Sequence, residues 1–480
     1  MSTATVPLPH GFTVRLTDEV RRLDGGKLLV GGSPLRAIRL TTHARAMISA
    51  GTVVVDDHAS GLLAARLLDA NVALPVLGAS VPADKLTVVI PVRDRCGQLD
   101  RALTSLGTDL RCLVVDDASL DPTAVAAVAE RHNAEVIALP TNVGPAGARN
   151  AGIRCVRTPY VAFVDSDISV TADTLLRLAR HFEDNRVALV GPLVAGITRS
   201  SCPRWFERYD ERASSLALGT VAGVVRPGSA VGWLPSACLV ARTDDLRISG
   251  AVTGFDPALR VGEDVDLVWR LVAAGRTVRY DPAEVAAHDV RNTMGGWLGR
   301  KFVYGTGGAA LARRHGTNGA PAVLSPSMAL AATALLTRRW WSPLVSAFFV
   351  ARGAKSLTTR LPPSSARPRL AVDLSTRGLG WALRQESALL LRHWWPATAA
   401  LCLVSRRARR LVTSALLVDL VVGTVQHPRS NIVETFVGRR LDDLSYGAGL
   451  WYGCVKVRSA AALKVRWVVG ASRRRSQKRD

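Results

Sequence analysis

From residue 85 the chain alternates two kinds of apolar pattern. Runs that are apolar throughout, "KLTVVIPV" (85–92), "RCLVVDDAS" (111–119), "AEVIAL" (134–139) and "YVAFVDSD" (160–167), are separated by the helical patterns "LDRALTSLG", "TAVAAVAERHN" and "GPAGARNAGIRC". Strands that are apolar on both sides belong to a parallel sheet covered by helices on both faces. In such sheets ligands bind beyond the carboxyl ends of the strands, so polar residues there are site candidates.

Residues 1–80 follow a different pattern. "FTVRLTDEVRRLDGGKLLVGG" alternates polar and apolar positions around Asp24-Gly25-Gly26, which predicts a hairpin. Two helical stretches follow, "HARAMISAG" and "SGLLAARLLDANV", the second with Leu62, Leu63, Leu67 and Leu68 on one stripe. This space suits a small winged-helix-like α+β domain, either a docking module or a structural cap. No polar constellation in it looks catalytic.

Beyond residue 300 the apolar runs lengthen. "APAVLSPSMALAATALLT" (320–337) carries no charge and is followed by Arg338-Arg339-Trp340-Trp341. "WWSPLVSAFFVA", "HWWPATAALCLVS" and "LVTSALLVDLVVGTVQHP" come next, with arginine clusters between them. A spanning helix needs about 20 apolar residues, and Pro326, Pro343 and Pro396 interrupt or bound these runs. Interfacial helices suit them better, with tryptophan at headgroup level and arginine facing anionic lipid. A buried helical domain with a basic face is the alternative.

Charge sharpens that division. Residues 1–288 hold 31 basic and 31 acidic side chains, whereas 289–480 hold 31 basic and 8 acidic, so the whole formal charge of +23 lies in the last part. So one-sided a field calls for an anionic partner. Nucleic acid is disfavoured, because no helix-turn-helix, RNA-recognition or zinc signature accompanies the charge. The 480 residues suffice for two or three domains, and a mean hydropathy of +0.16 is high for a soluble chain. The seven cysteines are scattered with no CxxC pair, which points to a reducing compartment. "MSTATVPLPHG" lacks the basic and apolar regions of a signal peptide, so membrane contact is expected from the cytoplasmic face.

Three strand ends carry chemistry: Pro91-Val92-Arg93-Asp94, Asp116-Asp117-Ala118-Ser119 and Asp165-Ser166-Asp167. Between the last two, "NVGPAGARNAG" sets Gly144, Gly147 and Gly152 around Arg149 and Asn150, a helix entrance whose N–H groups suit an anion. Asp165 and Asp167, two apart in extended chain, leave the strand on the same side and would repel unless a cation lies beside them. A divalent ion with oxygen ligands, open to diphosphate, resolves the repulsion. A cap plus a solvated acid is the bland alternative, but Asp173 is the better cap for the next helix. In "GFDPALRVGEDVDLVWRLVAAG" (254–275), Glu263 and Asp264 open a helix and offer a base, although acids in a first turn often serve only the helix dipole. His288 is a candidate metal or phosphate contact.

These motifs, "VVIPVRDR", "VVDDASLD", "NVGPAGARNAG", "FVDSD" and "GEDVDLVWRL", in this order over roughly 85–290, resemble family 2 glycosyltransferases of the GT-A fold. The resemblance implies a nucleotide-sugar donor such as UDP-glucose, a Mg2+ or Mn2+ ion and inversion by one displacement. By position it implies nucleotide-sugar contacts from Pro91, Asp94, Asp116, Asp117, Gly144, Arg149 and Asp165. It further implies a metal on Asp167, with Asp165 on ribose or metal, and Asp264 as the general base; His288 joins the metal candidates from its own position in the sequence rather than from the resemblance. Glu263, Trp269 and Arg270 are the candidates for the acceptor side. "PVRDR" departs from the family's commoner Pro-x-Tyr-Asn, and no Gln-x-x-Arg-Trp follows His288, so addition of one or a few sugars is expected rather than long polymerisation. The layout as a whole resembles the glycosyltransferases of mycofactocin systems, with 1–80 similar to the PqqD family. It implies short β-linked glucose chains on a peptide-derived redox cofactor precursor, and a cell-envelope glycan or glycolipid transferase is the alternative. The expected fold is α/β: a Rossmann-like, mostly parallel sheet over 85–300, preceded by the small domain over 1–80. A basic, mainly helical, membrane-associated region over 301–480 completes it.

Overall fold

A computed structural model describes residues 7–78, 80–248, 253–426 and 428–468. The chain forms two compact units, Met1–Trp297 and Leu298–Asp480.

The first unit begins with six short strands: β1 (Thr13–Leu16), β2 (Arg21–Leu23), β3 (Leu28–Gly31), β4 (Arg36–Arg39), β5 (Thr52–Val54) and β6 (Ala73–Val76). They make two antiparallel sheets, in the orders β5-β1-β6 and β2-β3-β4. The β2–β3 hairpin turns where Asp24, Gly25 and Gly26 all take positive φ, so the glycines there relieve strain. Helix α1 (Thr42–Ala46) is capped by Thr41 and α2 (His58–Asp69) by Asp57. Leu63, Leu67 and Leu68 of α2 enter a core with Val14, Leu29, Ile38 and Val53. Leu62 does not join them. It is exposed, because the buried face runs through Ser60, Ala64 and Leu67. Two helices over two three-stranded sheets make this region richer in strand than the winged-helix arrangement the sequence suggested.

A nine-stranded sheet follows. Its strands are β7 (Leu86–Val92), β8 (Arg111–Asp116), β9 (Glu135–Ala138), β10 (Tyr160–Val164), β11 (Ile168–Ser169), β12 (Val187–Ile197), β13 (Gly223–Val224), β14 (Cys238–Arg242) and β15 (Thr277–Asp289). The order is β11-β15-β12-β14-β10-β7-β8-β9, with β13 on β15. Strands β10, β7, β8 and β9 are parallel, as the apolar runs predicted. The other half is mixed. β12 and β15 run parallel to each other, but β14 runs antiparallel to both β10 and β12, and β11 and β13 antiparallel to β15, so the sheet as a whole is mixed.

Helices α3 (Cys96–Leu106) and α4 (Pro122–Arg131) bury Leu99, Leu103, Val125 and Val128 against Val88, Ile90 and Val114. On the opposite face α5 (Gly144–Cys155) comes so close to β7 that a Cβ on Gly152 would lie 2.4 Å from Val89 Cγ1. Residues on β7 alternate between these faces, which is why both must be apolar. Helix α6 (Ala172–Ala179) is capped by Thr171, whose extended backbone lets its hydroxyl accept from Thr174 N–H. Asp173, the cap expected from sequence, lies inside the first turn and pairs with Arg177. Helices α7 (Trp205–Arg212), α8 (Thr243–Ile248) and α9 (Glu263–Ala273) complete the layer.

Helix α10 (Met294–His315) leads into the second unit, which contains α11 (Pro326–Thr337), α12 (Ser342–Arg360), α13 (Arg367–Ala388), α14 (Trp395–Val404), α15 (Arg406–Gln426) and α16 (Ile432–Val457). Pro326, Pro343 and Pro396 each fall in the first turn of a helix, where a missing N–H costs nothing, so they start helices rather than interrupt them. Among the described residues no helix is long and apolar enough to cross a membrane. Three acids of this unit are turned inward. Asp442 pairs with Lys301 at 2.9 Å and Arg392 at 3.1 Å, Asp443 with Arg392 at 2.7 Å, and Asp419 with Arg439 and Arg440 at 2.6 Å each.

Candidate active site

The site lies beyond the carboxyl ends of the parallel strands, and one side chain organises it. Arg149, on α5, is buried to 2% exposure. Its Nη2 donates to Asp165 Oδ1 at 2.5 Å and its Nη1 to Glu263 Oε1 at 3.1 Å. Its guanidinium also lies 5.2 Å from the centre of the Phe255 ring, which packs edge-on to Phe163 of β10. The neighbouring Asn150 clasps the same loop, giving its amide to Phe255 C=O at 2.6 Å and accepting from Phe255 N–H at 2.9 Å. The Arg-Asn pair after the glycines therefore ties α5 to the loop that leads into α9. The family resemblance implies Arg149 in the nucleotide cleft; the structure shows it buried as a bridge between two acidic segments.

Asp264 follows at the head of α9, where Gly262 at φ 85° turns the chain into the helix. Its Oδ1 accepts from Val265 N–H at 2.8 Å and its Oδ2 from Ser236 N–H at 3.2 Å. Burial first, and then the adjacent Glu263 carboxylate, push its pKa up to about 7, against these two bonds and the charge of Arg149. A partly accessible carboxylate with that pKa is matched to taking a proton near neutrality.

Asp165 and Asp167 are not on an extended strand. β10 ends at Val164, and Ile168 N–H bonds back to Asp165 C=O at 3.0 Å, so the two acids sit in a turn and take different partners. Asp165 goes to Arg149. Asp167 accepts from Arg95 at 2.8 Å and Arg291 at 3.3 Å, with His288 Nε2 at 3.8 Å. The mutual repulsion expected from their spacing is thus relieved by separate arginines. Burial lowers the pKa of His288, against the pull of Asp167, and favours the neutral imidazole that a metal can use. Among the described residues no three His, Cys, Asp or Glu side chains converge on one point. Asp167 with His288 is the pair that fits a divalent ion whose remaining ligands are water and diphosphate oxygens.

The glycine-rich entrance also differs from expectation. Val143 and Gly144 N–H donate to the two oxygens of Asp117, at 2.7 and 2.9 Å, so a carboxylate of the chain itself fills this anion site. Asp116 and Asp94 stitch neighbouring strand ends. Ser119 Oγ donates to Asp116 Oδ1 at 2.5 Å and accepts from Asp94 N–H at 3.0 Å, while Asp94 Oδ1 takes Leu120 N–H at 2.6 Å. Pro91 stays in β7 opposite Val115. Trp269 and Arg270, the proposed acceptor contacts, are used for packing: Trp269 Nε1 donates to Gly232 C=O at 2.8 Å, and Arg270 joins Asp266 at 2.7 Å and Gly254 C=O at 2.6 Å.

Comparison with known proteins covers the same ground. The glycosyl transferase family 2 model matches residues 87–220, and that of glycosyl transferase family group 2 matches residues 160–404. The pre-mycofactocin glycosyltransferase of Mycobacterium tuberculosis, in strains CDC 1551 and H37Rv, is 40% identical over 471 residues, covering 95% of this chain and 98% of the relative. The chain belongs to glycosyl transferase family 2. An N-acetylglucosaminyltransferase of Mesorhizobium japonicum is 30% identical over 235 residues, 45% of this chain and 54% of that protein. Among solved structures, a mannosyltransferase from Pyrobaculum calidifontis in complex with GDP-Man and Mn2+ is 16% identical over 78% of this chain and 89% of its own. Its TM-score of 0.41 is too low a likeness to bear on the site.

In this family 2 glycosyltransferase, Arg95 and Arg291 are the site residues that motif reading missed. The available signals were the departure "PVRDR" and the arginine three residues after His288. Arg149→Met should be costly, since it strands two carboxylates in a buried cluster, and breaking such a pair costs about 3–5 kcal/mol. Denaturant unfolding measures it; a loss below roughly 1 kcal/mol, the range of an exposed pair, would refute the bridging role.

Proposed function

We propose that the chain transfers glucose from UDP-glucose to a peptide-derived redox cofactor precursor of the mycofactocin kind, building a short β-linked chain with inversion at each step. The near full-length identity to a pre-mycofactocin glycosyltransferase carries the choice of acceptor. The setting of Asp264 supports the mechanism. Its carboxylate takes the proton of an acceptor hydroxyl as that oxygen bonds to the anomeric carbon. The bond from that carbon to the diphosphate breaks in the same step, and its electron pair leaves with UDP. Arg149 fixes the spacing between Asp264 and the Asp165 turn, so base and leaving group are held on one frame.

On the donor side, Asp94, Asp116 and Pro91 present the nucleoside face, and Asp117 holds the loop entrance that borders it. Arg95 and Arg291 are positioned to follow negative charge from Asp167 to the departing diphosphate. A Mg2+ or Mn2+ ion held by Asp167 and His288 would supply further neutralisation of that charge. Incubating the protein with UDP-[14C]glucose and cofactor precursor should label the precursor, and Asp264→Asn should lose transfer by at least about 100-fold, the usual worth of a general base, while still binding UDP. Label that enters only a membrane lipid extract would move the acceptor to the glycolipid reading.

The second unit supports placement at the cytoplasmic face of a membrane. Trp340, Leu344, Phe348, Leu403 and Val404 are exposed, beside Arg338 and Arg339 or the cluster from Arg406 to Arg410. Asp419, Asp442 and Asp443 are consumed in ion pairs, which leaves few acids to balance the remaining arginines of this part of the chain. Apolar side chains beside unbalanced arginines suit an anionic lipid surface. The protein should float with phosphatidylglycerol vesicles at low salt and release partly at high salt; full recovery away from vesicles at low salt contradicts this placement.

A further inference from the structure

The carboxyl end of β15 holds a charged cluster of its own beside the Asp167 turn. Asp289 directly follows His288 and is 8% exposed. Each of its oxygens takes a different arginine: Oδ2 accepts from Arg101 Nη2 at 2.7 Å and Oδ1 from Arg199 Nε at 2.9 Å. Its backbone N–H donates to Asp167 C=O at 3.1 Å. One residue therefore bonds the acidic turn through its main chain and two separate elements through its side chain.

Those two elements flank the site. Arg101 lies on α3, and Arg95, the arginine that reaches Asp167, immediately precedes that helix. Arg199 lies two residues beyond β12 and gives Nη2 to Ser169 Oγ of β11 at 2.8 Å. β15 runs between β11 and β12: His288 stands opposite Ile168 and Gly196, and Asp289 opposite Ile197. Val290 N–H closes this end on Ile197 C=O at 3.0 Å. β11 is only two residues long, and so short a strand has few ladder bonds of its own. The arginine pairs supply what the ladder lacks, since bonds between ionised groups are about twice as strong as neutral ones. The segment that carries His288 is thereby fixed against the turn that carries Asp167, with ring Nε2 3.8 Å from Asp167 Oδ2.

We propose that Asp289 is a positioning residue for the metal-holding pair: gripped by Arg101 and Arg199, it keeps His288 facing Asp167 so that the two can share a divalent cation. This rests on the reading of Asp167 and His288 as that pair. The grip matters because Arg95 and Arg291 also bond Asp167, and they would draw its carboxylate away from the ring if the end of β15 were free to shift. An amide has a single oxygen, so Asp289→Asn keeps one arginine and turns an N–H2 group toward the other. Arg101 and Arg199 are 44% and 43% exposed, so the released arginine turns to water at little cost to the fold. What the substitution removes is the placement of His288 against Asp167.

The test is Mn2+ binding to the full chain with UDP present, followed by the electron paramagnetic resonance of the free ion. Asp289→Asn should weaken Mn2+ by about tenfold or more, the usual worth of a residue that orients a metal ligand, and raising Mn2+ should restore turnover. Should that variant not fold, Arg199→Gln removes one arm of the grip, keeps the other and should weaken Mn2+ in the same direction. Glu135→Gln breaks an exposed pair with Arg111 at the far edge of the sheet and should leave Mn2+ affinity as it is. A purely structural role for Asp289 predicts a lower thermal midpoint with Mn2+ affinity unchanged, and that result overturns the proposal. So does a loss of turnover that saturating Mn2+ does not restore, or equal weakening in Glu135→Gln. A parent protein that binds no Mn2+ overturns the metal reading and this proposal with it; binding by the parent that Asp289→Asn leaves unchanged overturns this proposal alone.

Discussion

A single guanidinium, buried between carboxylates that are far apart in the chain, is the contact on which the transfer site depends. Arg149 reaches Asp165, 16 residues on, and Glu263, 114 residues on, and removes two acids from what would otherwise be a repulsive cluster. A buried charge of this kind is tolerated only when its partners are close and well directed. The strand end, the helix carrying Asp264 and the loop at Phe255 are therefore held in one geometry. Asp264 stands just outside that set of paired charges. It has backbone N–H groups but, among the described residues, no cation of its own at bonding distance, and burial raises its pKa to about 7.

The acidic turn after β10 works by the same separation of charge. Asp165 and Asp167 diverge, one inward to Arg149 and one toward Arg95, Arg291 and His288. The first ties the turn to α5 through Arg149, and the second faces the place where the diphosphate is proposed to lie. A pair of aspartates two residues apart thus acts as two sites, and the turn between them is what sends them apart.

Much of this was legible in residue order alone. The parallel half of the sheet could be read because β7, β8 and β10 are buried on both faces and show unbroken apolar runs. The antiparallel pairings could not, since the pairing of β14 with β10 and β12 follows from tertiary packing over long, irregular connections rather than from local period. Asp264 and the strand-end acids were singled out through spacing and family resemblance. Arg149 was singled out too, but its burial between Asp165 and Glu263 depends on partners that no local pattern reveals. The contacts of Trp269 and Arg270 were not legible either, since residues near an acid in sequence turn, on a helix, toward the sheet and the loops that support it. In the second unit, the excess of arginine was plain, but only the fold shows that three of the few acids are spent internally.

The state of Asp264 is where the account is most exposed. Because a base must be ionised to act, kcat/KM for transfer should rise with pH through an apparent pKa of about 7. Glu263 raises that value by its charge, so in Glu263→Gln the rise should move to lower pH while its shape is kept. The pH dependence of kcat/KM in these two proteins is the most direct measurement. A rise displaced downward in the variant is the predicted result; a flat profile near neutrality in the parent protein, or an unmoved rise in the variant, would contradict the assignment of Asp264 as a base tuned by its buried neighbours.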